Sequence, residues 1–433
     1  MKRIFVGAVI LLSMLAAYPY VAQAGELDIL VDKLVEKGIL TPVEAQIVLD
    51  ETKQQVAQEL AEQKSYAAPS WTQKIKLKGD MRLRYQYERR NADTEGRTRG
   101  RYRFRLGGEG KVTDEFKVGF GLATGSSDPK STNQTFSLDG DRTFGTPDIR
   151  LDYAFGEYQP LSNLKVVAGK FKRKPYLWAP TDMLWDGDIN PEGGSLHWED
   201  TLAAIDNTDY WLNTGVWMVE HNDQEDLPDV FLPHVQFGVK NKAEVLEKDV
   251  DTKLAATFYS FQGAHGNTLS DSEGGNSTGT GGVLGSDYNT LGLSTEVGVR
   301  KLFGGLPLKI DDRIAFIGDF IHNFDDEFVG GEKTTGWTLG AKFGHKKVKK
   351  PGSWQMKYLY TVLGADAWPD ALPDSDRGFG GETDILAHEV AWKYALRKNV
   401  TLGIDYYQSR HYAESSGNDD TEHILQADIA LKF

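Results

Sequence analysis

The sequence predicts an all-β fold: a transmembrane antiparallel β-barrel of about 16 strands, with a short N-terminal α-helical segment in front of it. Three observations carry this reading. From Ile75 onward, apolar and polar residues alternate with period 2, segment after segment. Many of these segments run about 9 to 13 residues, which suits a tilted membrane strand, whereas strands of soluble domains average nearer 5 or 6. The connections alternate short and long along the chain, and Tyr and Trp gather near strand ends, where a bilayer has its interfaces. Alternation alone leaves the wet side open, because a soluble sandwich turns its apolar row inward and a membrane barrel turns it to lipid. Strand length, aromatic placement and loop pattern favour the second arrangement.

Composition removes several classes. The 433 residues are 40% hydrophobic, 11% aromatic and 26% charged, with a formal charge of −14. Mean hydropathy is −0.45. A bundle of membrane helices would need apolar runs of about 20 residues. A polycation that coats nucleic acid does not fit this charge, so no nucleic-acid partner is expected. Without cysteine there is no disulfide framework and no thiolate metal site. The aromatic content argues against disorder.

Taken in order, residues 1–24 read as a secretory signal peptide. Lys2 and Arg3 are basic, Ile4 to Ala17 is apolar, and Ala22-Gln23-Ala24 is a small-x-small cleavage pattern. Residues 25–70 read as a periplasmic helical segment and linker. Leu27, Leu30, Val31, Leu34 and Val35 recur at helical spacing, and Gly38 marks a stop. Thr41-Pro42-Val43-Glu44 is a capping box with Pro at the first helical position, opening a helix that runs to about Lys64. Two such helices bury little alone. The expectation is association with a copy of themselves, with the barrel base or with peptidoglycan.

Residues 71–433 read as the outer-membrane barrel. Ile75, Leu77, Met81, Leu83, Tyr85 and Tyr87 alternate with Lys76, Lys78, Asp80, Arg82, Arg84 and Gln86. Tyr102, Phe104 and Leu106 then alternate with Arg99, Arg101, Arg103 and Arg105, and Phe116, Val118, Phe120 and Leu122 follow a tight turn. In the next segment Ile149, Leu151, Tyr153 and Phe155 form one row, and Arg150, Asp152, Ala154 and Gly156 the other. Later segments repeat the pattern: Trp354, Met356, Tyr358, Tyr360 and Val362 face away from Gln355, Lys357 and Thr361. The last runs through Leu425, Ala427, Ile429 and Leu431 to Phe433. Short connections such as Thr113-Asp114 and Arg397–Asn399 alternate with long ones such as Gly125–Asp148, Lys172–Gly194 and Gln262–Asp287. An even strand count puts both ends on the short-turn rim, and at about 16 strands the lumen is expected to hold water rather than a packed core.

At this point the sequence resembles a known family. The secretory signal, Glu36-Lys37-Gly38-Ile39-Leu40-Thr41-Pro42, the strand from Gly79 to Tyr85, and the stretch from Asp182 to Gly193 look like the putative porins of Gram-negative bacteria. The terminal Phe433 is similar to the signal that barrel-assembly machinery reads in that class. The resemblance implies a homotrimer among outer-membrane lipid and lipopolysaccharide, with the third long loop folded into a water-filled channel for small hydrophilic solutes or ions. Phosphate-selective porins are a related look-alike.

That third loop, Lys172–Gly194, carries Lys172, Arg173 and Lys174, then Asp182, Asp186, Asp188 and Glu192. Arg82, Arg84, Arg99, Arg101, Arg103 and Arg105 form a basic ladder on two adjacent strands. An acidic loop facing this wall across a narrow pore would set a transverse field, and rings of charge select ions in this way. The plain alternative is a solvated wall near the mouth. Asp186, Asp188, Asn190 and Glu192 also alternate like a calcium-loop fragment, although the spacing beyond Glu192 does not match an EF-hand. Trp178, Trp185 and Trp198 could stack sugar rings or simply pack. Four late loops, 220–230, 323–334, 363–383 and 408–422, hold 18 acidic against three basic residues, which opposes the basic ladder and leaves the sign of selectivity open.

No catalytic arrangement emerges: there is no HExxH and no GxSxG, and the Gly274–Gly282 tract has no Lys-Ser/Thr after it. No enzyme activity and no cofactor are expected. The rival readings are a barrel selective for phosphate-like anions or sugars, an outer-membrane barrel enzyme, and a secreted soluble β protein.

Overall fold

In the computed structural model, the alternation that begins at Ile75 becomes sixteen long antiparallel strands and one two-residue strand, Gln134–Thr135. The long strands are β1 Ile75–Arg90, β2 Arg97–Lys111, β3 Phe116–Ala123, β4 Arg150–Leu161, β5 Leu164–Lys170, β6 Glu192–Thr201, β7 Thr208–Glu220 and β8 Val230–Val245. They continue as β9 Lys248–Ser260, β10 Asn289–Val299, β11 Arg313–Asn323, β12 Thr335–Gly344, β13 Trp354–Leu363, β14 Ile385–Arg397, β15 Val400–His411 and β16 Thr421–Lys432. Each pairs with its sequence neighbour, and β1 pairs with β16 from Asp80↔Lys432 to Arg90↔Glu422, which closes the barrel. Closure leaves no open edge, so strand backbone groups are paired without water. Phe433 completes the seam: its N–H and carbonyl both bond Gly79, at 3.0 and 2.9 Å.

The structure describes residues 31, 33–63, 75–93, 95–137, 144–223, 227–279, 282–300, 313–325, 331–412 and 420–433. The signal segment, the start of the first predicted helix and the linker 65–70 lie outside the described residues. The chain divides into two units, Met1–Gln73 and Lys74–Phe433, each described by itself. In the first, helix α1 spans Pro42–Gln63. Its capping box is formed: Thr41 N–H donates to Glu44 Oε2 at 2.8 Å and Glu44 N–H to Thr41 Oγ1 at 3.3 Å. Gly38, at φ 69°, ends the preceding turn, with its N–H on the Val35 carbonyl.

In the second unit, the polarity is that of a barrel in lipid. Phe104, Val118, Phe120, Phe237, Leu254, Leu293, Phe316, Leu339 and Ile404 are exposed on the outside. Arg84, Asn213, Gln236, Thr257, Asp319, Thr338 and Gln426 are buried on the inside. A soluble sandwich would show the reverse.

One row departs from the expected alternation. Tyr153 and Phe155 do not share the outward face of Leu151, because the β3–β4 register shifts between Gly121 and Leu122. The extra residue flips the faces. Tyr153 and Phe155 then lie opposite Gly121 and Gly119, whose missing Cβ atoms leave the space that the two rings occupy.

The lumen is also not water along its whole length. Loops L3 (171–191), L5 (261–288) and L7 (364–384) turn inward and build an apolar core in the long-loop half. Trp185 lies at its centre, edge-on to Trp217 and Trp368 at 5.4 and 5.5 Å between ring centroids. This corrects the expectation of a wholly aqueous interior. The apolar residues of these loops close over one another instead.

Candidate permeation site

L3 traverses the lumen and is fixed to the wall at successive points. Trp178 N–H donates to Gln236 Oε1 at 2.9 Å, and Gln236 Nε2 donates back to the Trp178 carbonyl at 2.8 Å. Thr181 N–H donates to Asp319 Oδ2 on β11 at 3.0 Å. Asp182 accepts from Arg377 of L7 at 2.7 Å. Asp186 Oδ2 accepts from Ser375 N–H and Oγ at 2.9 and 3.0 Å. Asp188 accepts from Thr132 N–H and Oγ1 of loop L2 (124–149) at 3.1 and 2.8 Å, and from Arg105 of β2 at 3.2 Å. The chain then returns to β6.

The arginine ladder faces inward, as its alternation requires, but it does not stand as a free charged wall. In register, Arg82 lies opposite Arg103 and Arg84 opposite Arg101. Like charges placed opposite are destabilising, so the wall supplies carboxylates. Asp80 accepts from Arg103 and Arg105 at 2.7 and 2.9 Å. Asp428 holds Arg84 in a two-point contact at 2.8 and 2.9 Å, and Asp376 of L7 meets the same guanidinium at 3.0 Å. Glu88 takes Arg99 at 2.6 Å. Arg82 donates to Asn133, and Arg101 to Gln86 and Ser131. The ladder therefore anchors L2, L3 and L7 at contact distance rather than facing an acidic loop across open water.

The other candidates part ways. Asp186, Asp188, Asn190 and Glu192 do not converge as calcium ligands: Asn190 donates to Asp152, and Glu192 accepts from Lys170 at 2.7 Å. Trp185 is 2% exposed inside the core, Trp178 stacks edge-on against Trp211, and Trp198 packs on Tyr210. L7's share of the acidic rim is turned inward, with Asp366, Asp370 and Asp374 all buried. Asp370 Oδ2 accepts from Ser272 Oγ and from the Gly274 and Gly275 N–H groups of L5 at 2.8–2.9 Å.

Charges in L3 and L7 carry the mark of this crowding. Burial pushes the Asp186 carboxyl up to about 7, with Asp188 adding to the shift. Burial likewise raises Asp374, reinforced by Asp182 and Asp186. Burial would also raise Asp376, but Arg84 and Arg82 outweigh it and hold that carboxyl well below its usual range.

The open space of the lumen lies toward the short-turn rim, on two sides of L3. A cavity of 520 Å³ opens against β1–β4 and L3, lined by Lys76, Lys78, Tyr153, Lys172 and Lys432 among others. A second of 300 Å³ opens against β12–β14, lined by Lys342, Gln355, Lys357 and Lys393. Arg173, Lys174 and Gly187 line both. Lys172 sits over the Tyr153 ring at 4.5 Å and Arg173 over Trp185 at 5.6 Å. Burial lowers the pKa of Lys174, and Arg173 lowers it further. At the rim itself, a cavity of 1170 Å³ is lined by Lys242, Lys346, Lys347, Lys349 and Lys350. Of these cations, the sequence singles out Lys172, Arg173 and Lys174 in the loop, and places Lys76, Lys78 and Lys357 only in polar strand rows. Lys342, Lys357 and Lys393 come one to a strand, so only their shared inward register could have joined them.

A closed sixteen-strand barrel with apolar residues outside, polar residues inside and a loop crossing the lumen is the architecture of an outer-membrane channel. The chain belongs to the family described as "Putative porin", which it matches over residues 89–283 and 284–433. It forms an outer-membrane channel of the passive-diffusion type. Among solved structures it is similar to OprB of Pseudomonas putida in its high-pH structure, with TM-score 0.51 and 9% identity, covering 84% of this chain and 95% of that one. It is also similar to OmpF of Salmonella typhi, solved in complex with daunomycin (TM-score 0.44, 11% identity, 83% and 97% covered). OccK8 (OprE) of Pseudomonas aeruginosa gives TM-score 0.43 at 12% identity, with 82% and 98% covered. No curated protein sequence matches.

Proposed function

We propose that this channel favours small anions over cations, as a homotrimer that catalyses no reaction, with residues 1–24 removed on export and residues 25–70 in the periplasm. The observation that carries the anion preference is the pair of cavities that share Arg173 and Lys174 in their linings. In the lining of the larger one, seven cationic side chains meet four carboxylates. The arginine ladder, the first candidate for this role, is consumed by Asp80, Glu88, Asp428, Asp376 and Asp188. The acid of L7 is likewise buried in loop contacts. What remains beside L3 is an excess of lysine and Arg173 over Glu109 and Asp152, and an excess of one sign favours the opposite ion.

The test is a comparison of single-channel recordings. Wild-type protein is expected to give stepwise conductance in planar bilayers. Arg173→Gln with Lys174→Gln is expected to lower its anion-to-cation permeability ratio by about tenfold, roughly 1.4 kcal/mol of lost field at the narrows. An unchanged ratio would remove L3 as the selecting element.

A further inference from the structure

The smaller cavity has a construction that passive conduction does not require. Lys342 and Lys357 are directly opposite in the β12–β13 register, and Lys393 lies opposite Gln355 in the β13–β14 register. Like charges at a directly opposed pair weaken a sheet. The ladder offsets such pairs with carboxylates, and here the compensation is incomplete. Glu389 contacts Lys357, and Arg377 takes Asp182, the one carboxylate in the lining. Arg173, Lys174, Lys342 and Lys393 keep no carboxylate contact among the described residues. Arg173 Nη1 is buried with no hydrogen-bond acceptor. Four cations thus converge on 300 Å³ with no carboxylate in contact among the described residues, and only the longer-range attraction of Asp182, Glu296 and Asp405 offsets their repulsion.

We propose that this cavity, between L3 and strands β12–β14, is a binding subsite for a compact oxyanion carrying two or more negative charges. The proposal rests on the anion-favouring reading of the lumen and goes beyond it, from a field to a saturable site. Ammonium groups act as point charges toward such an anion, while the Arg173 guanidinium offers a planar fork for two oxygens. A divalent anion gains about twice the Coulomb attraction of chloride at the same distance, so the site discriminates by charge. Binding would also offset the burial and the Arg173 repulsion that together depress Lys174.

Inorganic phosphate added to KCl in planar-bilayer recordings of the full-length protein is the probe. The expected result is a chloride current that falls along a saturating curve. Lys342→Gln with Lys393→Gln should raise the half-blocking concentration at least about tenfold, a loss of about 1.4 kcal/mol. Lys174→Gln, on the loop rather than the wall, should raise it independently of any effect on barrel assembly. A current that never saturates, or the wild-type half-blocking concentration retained in both variants, overturns the subsite. The KCl reversal potential in the same membranes separates the two levels. Anion preference without saturation removes the subsite alone, and absence of anion preference removes both.

Discussion

Arg84 shows how single residues decide what the ladder can do. Its side chain is 3% exposed and faces two carboxylates, from Asp428 on the wall and Asp376 on L7. Removing it strands both charges, and breaking a buried ion pair from one side costs about 3–5 kcal/mol. Arg84→Ala is therefore expected to lower the urea midpoint of the detergent-folded barrel markedly. Asp186 gives a pH dependence of definite sign. Its carboxyl moves from 3.8 to about 7 in the folded loop, facing Asp188, Asp374 and Asp376 as well as Arg173. Between those values the folded loop keeps a proton that a released loop gives up. The L3–L7 contact is therefore firmest at acid pH and loses this contribution as pH rises through about 7. Hydrogen exchange over 364–384, corrected for the intrinsic rate, should be more protected at pH 5.5 than at pH 8. Asp186→Asn should shrink the difference. Equal protection at the two pH values would contradict this reading of Asp186.

At the scale of elements, the strands were legible because their two faces differ so sharply. Lys76 to Gln86 and Arg99 to Arg105 could only be wet rows, and the capping box at Thr41–Glu44 placed the start of α1. The β4 segment departs from the expected facing at Tyr153 and Phe155 without a mark in its own pattern, because the extra residue at the bulge leaves the period-2 alternation of the sequence itself unbroken. The signal was in the partner strand: Gly119 and Gly121 are gaps into which rings can fit. Gly121→Ala would place a methyl against the Tyr153 ring and should cost about 1–3 kcal/mol in the same urea titration. Gly156→Ala, with nothing within 4 Å of its added carbon, should stay within about 0.5 kcal/mol. Equal effects would contradict the inward placement of Tyr153.

For the whole molecule, the formal charge of −14 is an average over regions that behave oppositely. Acid predominates in the late loops, where part of it is spent: L7 turns Asp366, Asp370 and Asp374 into its contacts with neighbouring loops. Base is gathered toward the short-turn rim, beside L3 and at Lys346–Lys350. Strand number and closure could be read from sequence, because they follow from local periodicity and connection length, whereas the crossing of the lumen by the third loop was implied only by the family resemblance. The sign of the interior could not. It depends on which charges cancel after strands distant in sequence come into register, and Lys342, Lys357 and Lys393 become neighbours only then. The reversal potential of single channels under a KCl gradient at neutral pH tests this most directly. The account predicts a potential of the sign set by chloride, and a cation-selective potential would contradict it.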